Sequence, residues 1–354
     1  MKNPEWLWPD DATHLSGPVS VAVFKGFRGG DVYLLGDAHF DYSNECFLPL
    51  PGTARSMTLY ELVTKALREH KDARVYVEYP VSRLPGLPKK NRWYLDRLRG
   101  LLEMDDSLAS KLGAALSSVL GVPQPVVGEF GKLHGEFPEG SARIVPLDVR
   151  TEPNVHVWEA LLRAEGGESL RALLFSKVVE SSQIRRWLNA YLDSDDFLAT
   201  CRAIFARHPL ADHFVRATLG PGGRHIIRSK FLALAPPDRR AVSAFFRRKV
   251  DQMVRLHARA RAAAPTHDDA RAVLQSMQAL VMDMYALCVL LADVARNGVT
   301  LVFCGDYHVA NYARFFEVCG GRKPDLRAKM SELPNGAGMQ RCVDLRPAKT
   351  RRSP

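Results

Sequence analysis

Short apolar runs that stop at a glycine or an acid recur along this chain, and two of them stop in the same way. Val32-Tyr-Leu-Leu-Gly-Asp-Ala-His-Phe-Asp41 and Leu301-Val-Phe-Cys-Gly-Asp-Tyr-His308 both close in Gly-Asp-x-His. A brief, continuous apolar run of this kind is the pattern of a strand buried on both faces of a parallel sheet. Two more runs, Arg74-Val-Tyr-Val-Glu-Tyr-Pro80 and Arg143-Ile-Val-Pro-Leu-Asp-Val-Arg150, end in Glu78 and Asp148. Upstream, Val19–Phe27 alternates and predicts a strand that turns through Gly26 and Gly29-Gly30 into Val32–Gly36. Thr58–Glu69 carries Leu59, Leu62, Val63, Ala66 and Leu67 at helical spacing, with Ser56 as the expected N-cap. Strand, helix, strand predicts a right-handed βαβ unit with Glu78 at the same edge as His39.

From about Val155 to Asn297 the period becomes helical, broken at Gly166-Gly167, Gly220–Gly223, Pro236-Pro237 and Pro265. Its clearest helix, Arg271–Ala295, leads into the strand Val299–Cys304, followed by a helix through Val318. Gln340–Leu345 reads as a last edge strand, and residues 1–18 as irregular. The expected fold is α/β: a mainly parallel sheet flanked by helices, with a large all-helical insertion. Residues 19–150 and 298–345 would form one core, 151–297 an insertion or cap, and 346–354 a basic disordered tail.

Composition changes this picture little. The chain has 354 residues, 46% hydrophobic and 25% charged, the balance of an ordinary globular protein. Six cysteines without a C-x-x-C spacing (Cys46, Cys201, Cys288, Cys304, Cys319, Cys342) predict free thiols rather than a disulfide framework or zinc knuckle. With no apolar stretch near Met1 and with Ala279–Ala295 interrupted by Asp283 and Asp293, a cytoplasmic protein without a membrane span is expected. The net charge of +10 allows polyanion contact. It is dispersed except at Arg239–Arg261 and Arg346–Arg352, so nucleic acid is not the favoured partner. The first of these stretches is amphipathic through Val242, Phe245, Phe246, Val250, Met253 and Val254, which makes its arginines a solvated face.

The strand ends carry the candidate chemistry. In open α/β sheets ligands bind beyond the carboxyl ends of the strands, where Asp37, His39, Glu78, Asp148, Asp306 and His308 would converge. Side chains two apart on an extended chain share a face. Asp37, His39, Glu78, Asp306 and His308 could therefore hold a divalent ion (zinc, manganese or iron) that activates a water for hydrolysis. Glu78 or Asp148, left off the metal, would serve as general base. A metal-free alternative uses His39 as the base, oriented by a carboxylate. A structural alternative makes Asp306 a helix N-cap and pairs Glu78 with an arginine. His134, His156 and His225 read as surface or packing residues, and Gly128–Gly140 as a surface loop without P-loop spacing.

The order strand-Gly-Asp-x-His, strand-Glu, strand-x-x-Asp, helical insertion and strand-Gly-x-x-His resembles the superfamily of erythromycin esterase-like, ChaN-like and TraB/TIKI-like proteins. The resemblance covers residues 30–80, 143–150 and 298–318. It implies a mainly parallel sheet, hydrolase or metal-dependent peptidase activity, and roles for His39, Glu78 and His308, with Asp148 matching the esterase-like branch. Asp37 departs from the glutamate or threonine usual there. Locally, Asp37-Ala-His-Phe-Asp41 also resembles the metal motif of arginase-like ureohydrolases, whose other signatures are absent. The sequence thus predicts a hydrolase, metal-dependent by preference, acting on an ester, peptide or related bond in a small-molecule or peptide substrate. The rivals are a non-enzymatic binding or assembly protein on a retired hydrolase fold, and a polyanion-binding protein.

Overall fold

Glycine and acid do end the apolar runs in the computed structural model, which describes residues 6–37, 55–80, 143–149, 185, 221–263, 265–332 and 339–345. The chain divides into two units: residues 1–79, 113–147 and 290–354 form the first, and 80–112 with 148–289 the second.

The first unit is built on a nine-stranded sheet. Its strands are β1 (Ala12–Ser16), β2 (Ser20–Phe27), β3 (Gly30–Asp37), β4 (Arg55–Thr58), β5 (Arg74–Pro80), β6 (Ile144–Asp148), β7 (Val299–Gly305), β8 (Leu326–Glu332) and β9 (Met339–Asp344). Their spatial order is β4-β1-β9-β8-β2-β3-β7-β5-β6.

The parallel part is where the apolar runs predicted it. β7 lies between β3 and β5, parallel to both, with Asp37 opposite Gly305 and Val77 opposite Phe303. β4 is also parallel to β1. The pairs β2–β3, β2–β8, β8–β9 and β1–β9 are antiparallel. The sheet is therefore mixed. The half containing β8 and β9 has one solvated face, visible in the alternation of buried Leu326 and Ala328 with exposed Arg327 and Lys329, which is the habit of antiparallel strands.

The βαβ expectation changes in two respects. β3 and β5 are not neighbours, because β7, which arrives from the far end of the chain, pairs between them. The helix between them, α1 (Leu59–Glu69), is capped by Thr58, the last residue of β4 and the one directly before the helix, rather than by Ser56 two residues further back. Thr58 and Glu61 form a reciprocal capping box, with Thr58 N–H donating to Glu61 Oε2 at 2.7 Å and Glu61 N–H to Thr58 Oγ1 at 3.1 Å. Nor is β9 an edge strand, since it sits between β1 and β8.

Leu15, Val23, Tyr33, Leu35, Leu62, Val75, Leu301 and Val343 lie in one hydrophobic core. The segment before β1 is fastened to it by aromatic packing. Trp6 stacks on Trp8, and Trp8 meets Tyr33 edge-on. Tyr33 accepts from Leu7 N–H and from the buried Lys25 Nζ, which also pairs with Asp31 at 2.6 Å. Burial, reinforced by the charge of Asp31, pushes the Tyr33 phenol well above its ordinary pKa.

The helices are α2 (Pro221–Ala233), α3 (Pro236–Ala262), α4 (His267–Val294) and α5 (Asp306–Gly320). α2, α3 and most of α4 belong to the second unit, and the division falls within α4 at Leu290. α3 opens on Pro236-Pro237, where a missing N–H costs nothing. Cys288, Cys304 and Cys319 are free thiols as expected, and burial pushes the Cys288 thiol up to about 12. Cys342 corrects the free-thiol expectation: it is in a disulfide whose partner lies outside the described residues.

Candidate active site

β3, β5 and β7 run in the same direction and end at Asp37, Pro80 and Gly305, the last of them passing directly into a helix. α5 begins at Asp306 with Gly305 as its N-cap residue, so His308 lies in the first turn of a helix rather than in a loop before it. The aromatic residues along α5 frame it: the Tyr307 ring stands edge-on to His308 at 5.8 Å between centroids, and the Tyr312 ring lies tilted at 6.2 Å.

Glu78 and His308 come together. One carboxylate oxygen of Glu78, Oε2, accepts from the Gly305 N–H at 2.7 Å. The other, Oε1, stands 3.8 Å from His308 Nε2, with side chains 13% and 7% exposed. A carboxylate at the amino end of a helix is favoured by the unpaired N–H groups there and by the helix dipole. That placement fixes the Glu78 rotamer and aims its second oxygen at the imidazole. At 3.8 Å this is an ion-pair contact that becomes a charge pair when the ring is protonated, and not a hydrogen bond.

Asp37 and Asp306 share the same edge, buried and half-buried. Asp306 Oδ1 accepts a hydrogen bond from the Ser20 hydroxyl. That contact is possible because Gly36, opposite Ser20 in the β2–β3 ladder, has no side chain. A Cβ at position 36 would lie 2.8 Å from Asp306 Oδ1 and 3.1 Å from its Cα, besides striking the Ser20 hydroxyl. Neither Ser20 nor the role of Gly36 was drawn from the sequence. Gly36 carried a signal, a glycine at the end of an apolar run, which marks close backbone approach. Ser20 carried none, since only the antiparallel pairing of β2 brings it to this edge.

Asp148 closes β6 and is half-buried, but it belongs to the second unit. His39 and Asp41 lie outside the described residues, as do His134, His156, the loop 128–140 and the tail from Arg346; His225 falls within α2. Among the described residues no three His, Cys, Asp or Glu side chains come together as metal ligands. The described donors alone do not fit a metal centre. What they form is a carboxylate–imidazole pair set at the end of three parallel strands, with two further carboxylates beside it.

No described helix is long and apolar enough to cross a membrane. No family model, curated protein or solved structure matches the chain.

Proposed function

We propose that this chain is a hydrolase of an ester, peptide or related bond in a small-molecule or peptide substrate, with Glu78 and His308 as its working pair. The observation that carries the reading is the 3.8 Å approach of His308 Nε2 to a carboxylate that a helix N-terminal N–H already holds in place. In this reading His308 takes a proton from a water as the water oxygen bonds to the carbonyl carbon. Glu78 stabilises the imidazolium so formed. The proton then passes to the departing oxygen or nitrogen as its bond to carbon breaks. A positioned base of this kind contributes roughly 10²- to 10⁴-fold in rate.

Metal dependence on zinc, manganese or iron is part of the proposal only through His39, whose imidazole would have to join Asp37 and Glu78. A cytoplasmic setting belongs to the same reading. The three free thiols support that setting, and the Cys342 disulfide weighs against it.

The test is hydrolysis of a panel of short-chain esters and chromogenic peptides by the purified chain, with and without added zinc, manganese or iron. Glu78→Gln and His308→Gln should each lower kcat/KM by roughly 10²- to 10⁴-fold while the circular dichroism spectrum is kept. Metal content by mass spectrometry, beside His39→Ala, separates the metal-dependent version from the metal-free one. Equal rates in all variants, or no turnover of any substrate, would sink the hydrolase reading.

One observation favours a second reading, a binding or assembly protein on a retired hydrolase fold. Glu78 and Asp306 both have hydrogen bonds inside the fold, to Gly305 N–H and to Ser20, as structural groups would. In that case Glu78→Gln lowers stability and leaves nothing catalytic to lose.

A further inference from the structure

α3 contributes something that the proposed hydrolase site does not use. Its buried side carries the apolar stripe read from the sequence, Val242, Phe245, Phe246, Val250, Met253 and Val254, together with His257. Its outer side exposes Arg240, Arg247, Arg255 and Arg259, with Arg248 half-buried beside them. At 3.6 residues per turn the four exposed arginines fall within about 120° of one another, and at 1.5 Å per residue they extend over roughly 28 Å. None of these five arginines is held in an ion pair with another described residue. The acid on this face, Asp251, is bridged by Arg185 Nη1 at 2.7 Å, which brings a further guanidinium to the row.

We propose that this face of α3 binds the phosphate backbone of a double-stranded nucleic acid. A row of guanidiniums spread over roughly 28 Å, none of them ion-paired with another described residue, complements evenly spaced phosphates. The residues between the arginines decide among the polyanions. Ala244, Gln252, Ala258 and Ala262 are exposed there, and the aromatic residues Phe245 and Phe246 are buried. Single strands are held by bases stacked on exposed aromatic rings, and this face has none. A helix that inserts into a lipid interface offers its apolar side to the acyl chains, whereas here that side is buried within the protein. Contacts that reach only phosphates give affinity without sequence preference.

Fluorescence anisotropy of the full chain with labelled 20-base-pair duplexes of arbitrary sequence, one DNA and one RNA, tests this between 50 and 200 mM salt. Four to five phosphate contacts predict a loss of roughly 10²- to 10³-fold in affinity across that range, and weaker binding of a single strand. Arg247→Ala/Arg255→Ala/Arg259→Ala should flatten the slope of log K against log salt by about 2.7. Its melting temperature should stay unchanged, because the three side chains are exposed. Arg240→Glu alone should weaken binding without touching the core. No binding of either duplex at 50 mM salt overturns the proposal. So does an unchanged slope in the triple variant, which would give the binding to another basic segment. Binding to phosphatidylserine vesicles but to neither duplex overturns it as well. Which duplex binds more tightly distinguishes RNA from DNA as the source of the phosphates.

Discussion

A methyl group at Gly36 would meet Asp306 on its backbone as well as its side chain, at 3.1 Å from Cα. Flexible side chains can turn aside, but the first residue of α5 cannot move without shifting Gly305, whose N–H holds Glu78. Gly36→Ala is therefore expected to cost about 1–3 kcal/mol, the usual range for forced overpacking. It should also reduce any hydrolysis by the Glu78–His308 pair. Urea titration beside a kcat/KM measurement checks both effects. If stability falls and turnover is unaffected, Asp306 and Gly305 do not position the site. At this scale the sequence was informative wherever chemistry repeats: Asp37, Glu78, Asp306 and His308 were all picked out by the way their strands end. Ser20 was not, because its importance comes from a partner 286 residues away, and pairing across such a distance leaves no local mark.

Elements were legible in proportion to how locally they are determined. α3 and α4 follow from period and proline placement, and β5, β6 and β7 from unbroken apolar runs. β1, β4 and β8 were missed: two are only four and five residues long, and β8 alternates in a polar context. The amino end of α4 illustrates local determination. Asp269 accepts from Thr266 N–H at 2.9 Å and from its hydroxyl at 2.7 Å, while Thr266 Oγ1 accepts from Asp269 N–H at 3.2 Å. The backbone bond first, and the hydroxyl bond second, hold the Asp269 carboxyl below its ordinary value of 3.8. A lowered pKa in the folded state means that stability is fully present above the unfolded value and is lost as pH falls through the folded one. Asp269→Asn should therefore lower the melting temperature at pH 7. The deficit should shrink as pH drops below about 3.8, and a thermal-melt series over pH 2–7 reads it. A deficit that stays constant with pH would mean the charge contributes nothing.

At the scale of the whole molecule, the order of strands matters more than their number. β9 is the bridge between β1 and β8, and through β1 it holds β4. Its Val343 is fully buried, as is Leu345 just beyond it, whose N–H donates to Thr13 O at 2.9 Å. Full burial of two such aliphatic side chains is worth roughly 1.5–3 kcal/mol each. A chain ending before Met339 is expected to lose cooperative unfolding and to expose apolar surface. One ending after Leu345, which removes only the basic tail, should unfold like the full chain. Near-UV circular dichroism during urea titration distinguishes them, and identical transitions would show that β9 is dispensable.

The position of β7 also matters while the chain is being made. β3 and β5 emerge from the ribosome before β7, yet that strand, which belongs between them, is encoded more than 200 residues later. Until Val299–Gly305 has cleared the exit tunnel, both early strands present unpaired edges flanked by apolar side chains, the surface on which nascent chains aggregate. Contacts this distant in sequence also form slowly once they can form. Synthesis should therefore depend on a holding chaperone while the chain between β5 and β7 is being made, and the Glu78–His308 pair cannot exist until His308, 230 residues after Glu78, has been translated.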